Sequence, residues 1–501
     1  MAIQLDFGGF DPSFIGVTIR FGNDRAWQIF DAFSKSANPP SLIGLPRDER
    51  FEALSITSVV SHEIRHFHDF LLTAYSAQVF RLRVQALVNL LEVLFYISKS
   101  DANCLPVPLS EWCRLDDTGR KEYLSWLPQR KDNKPWSPVE LPFVDDKPFD
   151  FQQPTSPMSW SPETVERLIR AAIYTRERIH EFTYNPRTVR GGASFQPWQI
   201  FELSGFLIQI QDIWYTYGAE DTQLFMEYLQ TSDNPYGLML KLAANMWWRA
   251  GLTFDAAMTS AVVAWSLMGS YERDGWQACP TERFMLLWEH ISKHGLYEAA
   301  DDLMELFNAW SRALKVSTVE EGLAETQKIY HRLRTSIESR LLNISGSFVS
   351  ENYGELILRV VDSVARASEH MIEQFRESPD TYVRPYLYIN NANSFVNPVL
   401  RMVSEGGGLQ FSLPMNELEK AGYSVRWAAI VDNKELIFSI IAPYNLSKHI
   451  YFDPAEVSHL SELIGVTDFL FAETDRAHAE VQRPGRSFFQ NTEKIPVEVL
   501  H

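Results

Sequence analysis

Three residues in the stretch SVVSHEIRHFHDFLLTAY, from Ser58 to Tyr75, have the types and spacing of a metal site that activates water. On a helix, His62 and His66 lie on one face, one turn apart, where two neutral imidazoles can bind one tetrahedral Zn²⁺. Glu63 lies beside them and can accept a proton from water, whose pKa zinc lowers to about 7. The stretch therefore predicts a zinc site with Glu63 as general base.

The motif HEIRH resembles the HExxH signature of the zincin clan of zinc metallopeptidases. The resemblance covers this helix alone, and it is to the gluzincin branch, in which the third zinc ligand is a glutamate on a later helix. It implies that His62 and His66 bind Zn²⁺ and that Glu63 is catalytic. It also implies a selective metalloprotease that acts on a protein or peptide substrate.

The best candidate for the third ligand is Glu202, in the stretch QPWQIFELSGFLIQIQDIW. This helix is apolar almost all round, so we expect it to be buried, and a buried carboxylate needs a cation. Ser204 and Gly205 are small enough to let another helix approach closely. The alternatives are that Glu202 pairs with an arginine, or that another glutamate is the ligand; the other candidates are Glu298, Glu351, Glu355 and Glu369.

Two further side chains follow on the predicted metal helix. Asp69 is three residues after His66, from where its carboxylate could orient a liganding imidazole; the alternative is a solvated aspartate. His68 lies about 200° around the helix from His66, so we do not expect it to bind the same metal. We expect the site to line a solvent-filled cleft.

Two other function classes stay open on the sequence. The dipeptide His68-Asp69, with His62 or His66, would fit a metal-dependent phosphohydrolase of the HD type. A non-catalytic interaction protein that retains a zincin-like helix is the other alternative, with its large aromatic helical body as a binding surface.

The composition of the chain limits the kinds of binding partner and the cellular location that we expect. The net charge of −18 repels phosphate backbones, so we expect no nucleic-acid binding. Three scattered cysteines, Cys104, Cys113 and Cys279, give no disulfide framework, and MAIQLDFGGFDPSF does not have the features of a secretory signal. We therefore expect a cytoplasmic protein.

The stretch LTFDAAMTSAVVAWSLMGS is interrupted by Asp255, and we interpret it as a buried core helix, not a membrane span.

The 501-residue length predicts several parts, and the fold class is mainly α (α+β), a large helical body with small β elements at the N- and C-termini. We predict β elements plus the metal-site helix at 1–103, a Pro-rich insertion at 104–160, the helical body at 161–380 and an α+β part at 381–501. Within these, the first forty residues read as extended, SEGGGLQFSL as a loop, and 423–444 as two strands.

Overall fold

The computed structural model describes residues 8–11, 16–21, 24–35, 41–99, 105–107, 183–184, 186–188, 194–231, 235–295, 302–343, 355–391, 394–396, 398–404, 409–412, 488–490 and 496–499, with single residues at 39 and 118. This part of the chain is mainly α-helical, as the sequence predicts. The helix predicted from 161, the strand pair predicted at 423–444 and most of the Pro-rich segment lie outside the described residues.

The described helices fall largely where apolar residues recur at three- and four-residue steps. They are α1 (Asp24–Lys35), α2 (Arg47–Leu72), α3 (Ala74–Lys99), α4 (Pro197–Tyr217), α5 (Ala219–Thr231), α6 (Pro235–Arg249), α7 (Ala256–Leu267), α8 (Tyr271–Asp274), α9 (Pro280–His294), α10 (Leu303–Leu314), α11 (Val319–Asn343), α12 (Glu355–Glu377), α13 (Pro379–Val383) and α14 (Pro385–Asn391). Helix α1 corrects the expectation of an extended N-terminal segment. Ala26 and Phe30, four residues apart, form its buried face.

A four-stranded sheet joins the N-terminal residues to a segment almost 400 residues later. Its order is β1 (Gly8–Asp11), β2 (Gly16–Phe21), β6 (Val399–Ser404) and β7 (Leu409–Ser412). The two central strands are parallel, and each pairs with its outer neighbour in antiparallel fashion. Strands from the N-terminal residues and from the region after 398 therefore meet in one sheet, which packs against α2.

The strand pair β6 and β7 overturns the interpretation of SEGGGLQFSL as a loop. Ser404 ends β6, and Leu409–Ser412 forms β7, so the three glycines lie between two antiparallel strands. The short β-rich run LQFS was hidden by its neighbouring glycines, which are typical of a hairpin connection as well as of a loop.

Helix α2 is buried on nearly all sides for most of its length. Two acidic residues in its first turn, Asp48 and Glu49, favour the positive end of the helix dipole. The buried hydroxyls of Ser55 and Ser58 donate to backbone carbonyls four residues earlier, so they are satisfied within the helix. The helix ends at Leu72, because the backbone of the following Thr73 is extended.

Helix α4 has clear start and stop signals. Gln196 and Gln199 form a reciprocal capping box, and Pro197 stands at the first helical position. Gly218 ends the helix with a φ of 94°, a conformation that suits glycine, and its N–H donates to the carbonyls of Ile213 and Trp214. These signals fix where α4 begins and ends.

Helices α2 and α4 pack side by side in opposite directions, so that Thr57 meets Tyr217 at one end and His66 approaches Glu202 at the other. Polar side chains bridge the two helices along their contact, which we call the polar seam. Its hydrogen bonds are Ser58 with Gln209 at 2.9 Å, Ser61 with Asp212 at 2.7 Å and Arg65 with Ser204 at 3.0 Å. Burial raises the pKa of Asp212.

Arg65 also secures the opposite side of α2. Its guanidinium lies 3.8 Å from the ring centroid of Tyr382 and 4.9 Å from that of Tyr388, and Nη1 donates to the Tyr382 carbonyl at 2.6 Å. Its Nε lies 3.2 Å from the Asp69 carboxylate, to which the Tyr382 hydroxyl also donates. Arg65 and Asp69 are fully buried, so each charge depends on the other.

The chain forms two compact units, each built from separated segments. The first unit comprises 1–80, 181–332 and 361–429, and it contains α2, α4 and the four-stranded sheet. The second comprises 81–180, 333–360 and 430–501. It contains a three-stranded sheet in which β9 (Pro496–Val499) lies between β3 (Leu105–Val107) and β8 (Phe488–Gln490). A short antiparallel pair, β4 (Arg187–Thr188) and β5 (Ser194–Phe195), belongs to the first unit.

No helix within the described ranges has the length and apolar character needed to cross a membrane. The stretch around Asp255, which the sequence predicts to be a buried core helix, forms α7, and Asp255 caps it by accepting a hydrogen bond from the Met258 N–H. Its residues from Thr259 to Leu267 are buried.

Replacing Arg65 with Ala should destabilise the first unit strongly. The substitution leaves the buried carboxylate of Asp69 without its cation, and breaking a buried ion pair in this way costs roughly 3–5 kcal/mol. Urea-induced unfolding followed by tryptophan fluorescence measures the loss.

Arg384→Ala is the matched control for this measurement. Arg384 also pairs with an aspartate four residues away, Asp380, but its side chain is 52% exposed, so we expect a loss below about 1 kcal/mol. Equal losses in the two variants would contradict the importance assigned to the buried network.

Candidate metal site

His62, His66 and Glu202 come together where α2 and α4 cross. The Nε2 atoms of His62 and His66 are 2.9 Å apart. Glu202 Oε2 lies 3.2 Å from His62 Nε2, and Glu202 Oε1 lies 3.5 Å from His66 Nε2. Among the described residues, these three form the only group of three or more His, Cys, Asp or Glu side chains close enough to hold a metal ion.

The spacing of these atoms suits a small tetrahedral cation. Zinc bonds nitrogen and oxygen at about 2.0–2.2 Å, and ligands in a tetrahedron are then about 3.3–3.6 Å apart. The observed separations are 2.9, 3.2 and 3.5 Å, so the two histidine nitrogens would need to move apart by only a few tenths of an ångström around an ion. Two imidazoles and one carboxylate leave a fourth position for water, which is the donor set of a catalytic zinc site. The residues present therefore fit the predicted metal.

The electrostatics of the group are those of a cation site. Burial lowers the pKa of His66, but the charge and hydrogen bond of Glu202, together with the charges of Glu63 and Asp69, outweigh it and raise the pKa to about 9. Burial acts to raise the pKa of Glu202, but His66 and His62 lower it to about 2. The Glu202 carboxylate is thus held ionised beside positive charge.

The site is much more closed than the solvent-filled cleft that the sequence led us to expect. The side chains of His62 and His66 are 6% and 8% exposed, and Glu63 is 5% exposed. The ring of Phe206 packs edge-on against His62 at 4.8 Å, which helps to shut out solvent. Glu202 is the most accessible member, at 18% of its side chain.

Gly205 allows the two helices to approach this closely. A Cβ atom placed on Gly205 would lie 2.8 Å from two atoms of the His62 ring and 2.9 Å from Nδ1. Any larger residue would therefore displace the imidazole. The small Ser204-Gly205 pair lies at the close approach, as the sequence suggested.

Glu63, the predicted base, follows His62 on α2 and is buried with it. Its negative charge contributes to the raised pKa of His66, so the carboxylate lies within electrostatic range of the metal-site cluster. The catalytic role of Glu63 stays a prediction.

Asp69 lies in a different network from the one predicted. Its Oδ1 is bonded by Tyr382 and Arg65, and its Oδ2 makes no hydrogen bond to any described residue. Nor does His66 Nδ1 make one. The structure therefore does not show Asp69 orienting an imidazole. Asp69 is not a solvated aspartate either, because it is fully buried and its carboxylate pairs with the buried guanidinium of Arg65.

His68 points away from the metal-site cluster, as its position on the helix predicts. Its Nδ1 is bonded to the Tyr388 hydroxyl and its Nε2 to the Val396 carbonyl, both at 2.7 Å. Burial, followed by the nearby charge of Arg65, lowers the pKa of His68 to about 3, so the ring is neutral. A shared metal on His68 and Asp69 would require both networks to be broken.

Of the other candidate glutamates, Glu369 on α12 does not join the cluster. The side chain of Glu355, and Glu298 and Glu351, lie outside what the structure describes. Glu202 makes no ion pair with an arginine in the described part of the chain, and its partners there are the two histidines.

Sequence reasoning missed Gln209. Its Oε1 lies 3.1 Å from His62 Nδ1, on the side of the ring opposite the cluster. The available signal was its place on α4, seven residues after Glu202, which is two helical turns and the same face. A glutamine on an apolar helix was overlooked because it carries no charge.

Gly205→Ala should weaken metal binding without unfolding the protein. Alanine favours a helix over glycine by roughly 1 kcal/mol, but its Cβ collides with the His62 ring. We expect zinc affinity, measured by competition with a chelating dye, to fall by about tenfold or more, as with other disturbed supports of a ligand. Zinc affinity equal to wild type would show that the ring position is not critical.

In comparisons with known proteins, no protein-family model, curated protein or solved structure matches the chain.

Proposed function

We propose that this protein is a zinc-dependent hydrolase, with His62, His66 and Glu202 as the metal ligands and peptide bonds as the substrate. The observation that carries the proposal is the convergence of the three ligand atoms, at separations that suit tetrahedral zinc, beside Glu63. A buried carboxylate needs only one cation to balance its charge. Glu202 instead lies beside two histidines from the same face of α2, which is the arrangement of a metal site.

The chain's own residues divide the work. His62, His66 and Glu202 hold the ion, and a zinc ion held there supplies a Lewis acid that polarises a scissile carbonyl and makes water more acidic. Glu63 accepts the proton of the attacking water and returns it to the leaving amine. Phe206 excludes bulk solvent from the His62 side, which strengthens electrostatic interactions within the site.

Access to the reacting group is from the Glu202 side, where the cluster is most exposed. The small opening favours a selective enzyme over one that degrades many proteins. The three scattered cysteines, of which Cys279 is a buried free thiol, support action in a reducing compartment such as the cytoplasm.

One alternative has a specific observation in its favour. The low exposure of His62, Glu63 and His66 would also suit a structural metal that clamps α2 to α4 in a non-catalytic interaction protein. The HD-type phosphohydrolase is not proposed, because His68 and Asp69 are committed to Tyr388, Tyr382 and Arg65.

Elemental analysis of ligand variants tests the metal site. We expect about one zinc per chain in wild type and a large loss in His62→Ala, His66→Ala and Glu202→Ala, since each removes one of three protein ligands. His290→Ala is the control, because that histidine lies on α9 outside the cluster. The same analysis counts iron and manganese, and equal metal in all five proteins would rule the site out.

Glu63→Gln separates the enzyme from the structural alternative. The amide is nearly isosteric with the carboxylate but cannot accept the proton, and losing a general base commonly costs roughly 10²–10⁴-fold in rate. We expect zinc content and melting temperature near those of wild type, with hydrolysis of a peptide library, followed by mass spectrometry, almost abolished.

A Glu63→Gln protein with unchanged hydrolysis would remove Glu63 from the mechanism. Absence of hydrolysis in wild type, with zinc bound tightly and its removal lowering the melting temperature, would favour the structural clamp.

A further inference from the structure

On the side away from the metal-site cluster, the His62 ring is held by a series of three hydrogen bonds, each with a defined donor and acceptor. Ser58 Oγ lies 2.6 Å from the Leu54 carbonyl, Gln209 Nε2 lies 2.9 Å from Ser58 Oγ, and Gln209 Oε1 lies 3.1 Å from His62 Nδ1. Ser58 and Gln209 are buried, so bulk water does not compete for these bonds.

The direction of each bond follows from the first. A backbone carbonyl only accepts, so the single Ser58 hydroxyl hydrogen goes to Leu54. The Ser58 oxygen must then accept from the Gln209 amide NH₂. The Gln209 carbonyl oxygen is left facing His62, where it can only accept, so the proton must be on His62 Nδ1.

We propose that Gln209, oriented by Ser58, is a positioning residue that keeps the proton of His62 on Nδ1 and so leaves the Nε2 lone pair directed at the metal. The inference rests on the proposed function, because it assigns Gln209 and Ser58 a role at the proposed metal site. A histidine ligand must present an unprotonated nitrogen, and the hydrogen bond made by the other nitrogen decides which one that is.

The two histidines differ in this respect. His66 Nδ1 makes no hydrogen bond to any described residue, whereas His62 Nδ1 has a buried acceptor whose orientation is itself fixed. The Gln209 chain and the packing of Phe206 both act on His62. His62 is therefore the ligand with the better-organised ring, and disturbing Gln209 should act through it.

The experiment combines zinc affinity with a direct reading of the ring proton. Zinc dissociation constants are measured by chelator competition for wild type, Gln209→Leu, Gln209→Glu, Ser58→Ala and Ser55→Ala. Ser55→Ala is the matched control, because Ser55 is also buried on α2 and its hydroxyl bonds Phe51 O, one turn away from the chain of bonds. Histidine ring ¹⁵N NMR, assigned with His62→Ala, shows which nitrogen carries hydrogen.

Gln209→Leu should bind zinc about 10- to 100-fold more weakly, the usual cost of losing a partner behind a ligand. Ser58→Ala frees the amide to rotate and should weaken binding less. Gln209→Glu keeps an acceptor at Nδ1 but loses the donor to Ser58 Oγ, so it should bind zinc more tightly than Gln209→Leu. Ser55→Ala should bind as tightly as wild type. In wild type, Nδ1 of His62 should carry the proton.

Zinc binding by Gln209→Leu equal to that of wild type, or a neutral His62 protonated only on Nε2, would overturn the inference. Failure of the proposed function looks different. If wild type binds no zinc, the proposed function fails, and the NMR spectrum of the metal-free protein still reports the His62 proton. If zinc binds but nothing is hydrolysed, the affinity series still decides the role of Gln209.

Discussion

The close approach of α2 and α4 at Gly205 is the constraint on which the candidate site depends. Because no side chain separates the helices there, the His62 ring lies directly against the α4 backbone, and Glu202 reaches both histidines from one turn away. Polar groups buried at such a contact must find partners in each other, since water is excluded. The polar seam satisfies them and sets the register of the two helices at the same time.

Burial of α2 on both sides ties this register to the rest of the first unit. Arg65 bonds Ser204, next to Gly205, and its guanidinium also lies against Tyr382 and Tyr388. A residue inside the HEIRH motif is thus structural, and the motif serves two purposes on two faces. In the proposed function, His62, Glu63 and His66 supply the chemistry, while Arg65 helps to hold α2 against α4.

Sequence patterns predicted the features that follow from the period of an α-helix and from the energetic cost of burying a charge. Two patterns pointed to the candidate site: the four-residue spacing of His62 and His66, and the lone carboxylate of Glu202 on an apolar helix. The structure brings these three residues together. The pairing of Asp69 with Arg65, four residues earlier on α2, could have been inferred from their spacing. Patterns could not show the second partner of Asp69, because Tyr382 comes from α13, more than 300 residues away. The closure of the site and the contact of Gln209 with His62 likewise depend on residues distant in sequence.

X-ray absorption at the zinc edge of the purified protein tests the central claim most directly, because it reports the ligands rather than the amount of metal. The account predicts nitrogen and oxygen neighbours at about 2.0–2.2 Å, with the outer-shell pattern of two imidazoles and no sulfur. In His62→Ala, any remaining zinc should show one imidazole. A spectrum with sulfur ligands, without imidazoles, or unchanged by His62→Ala would contradict it.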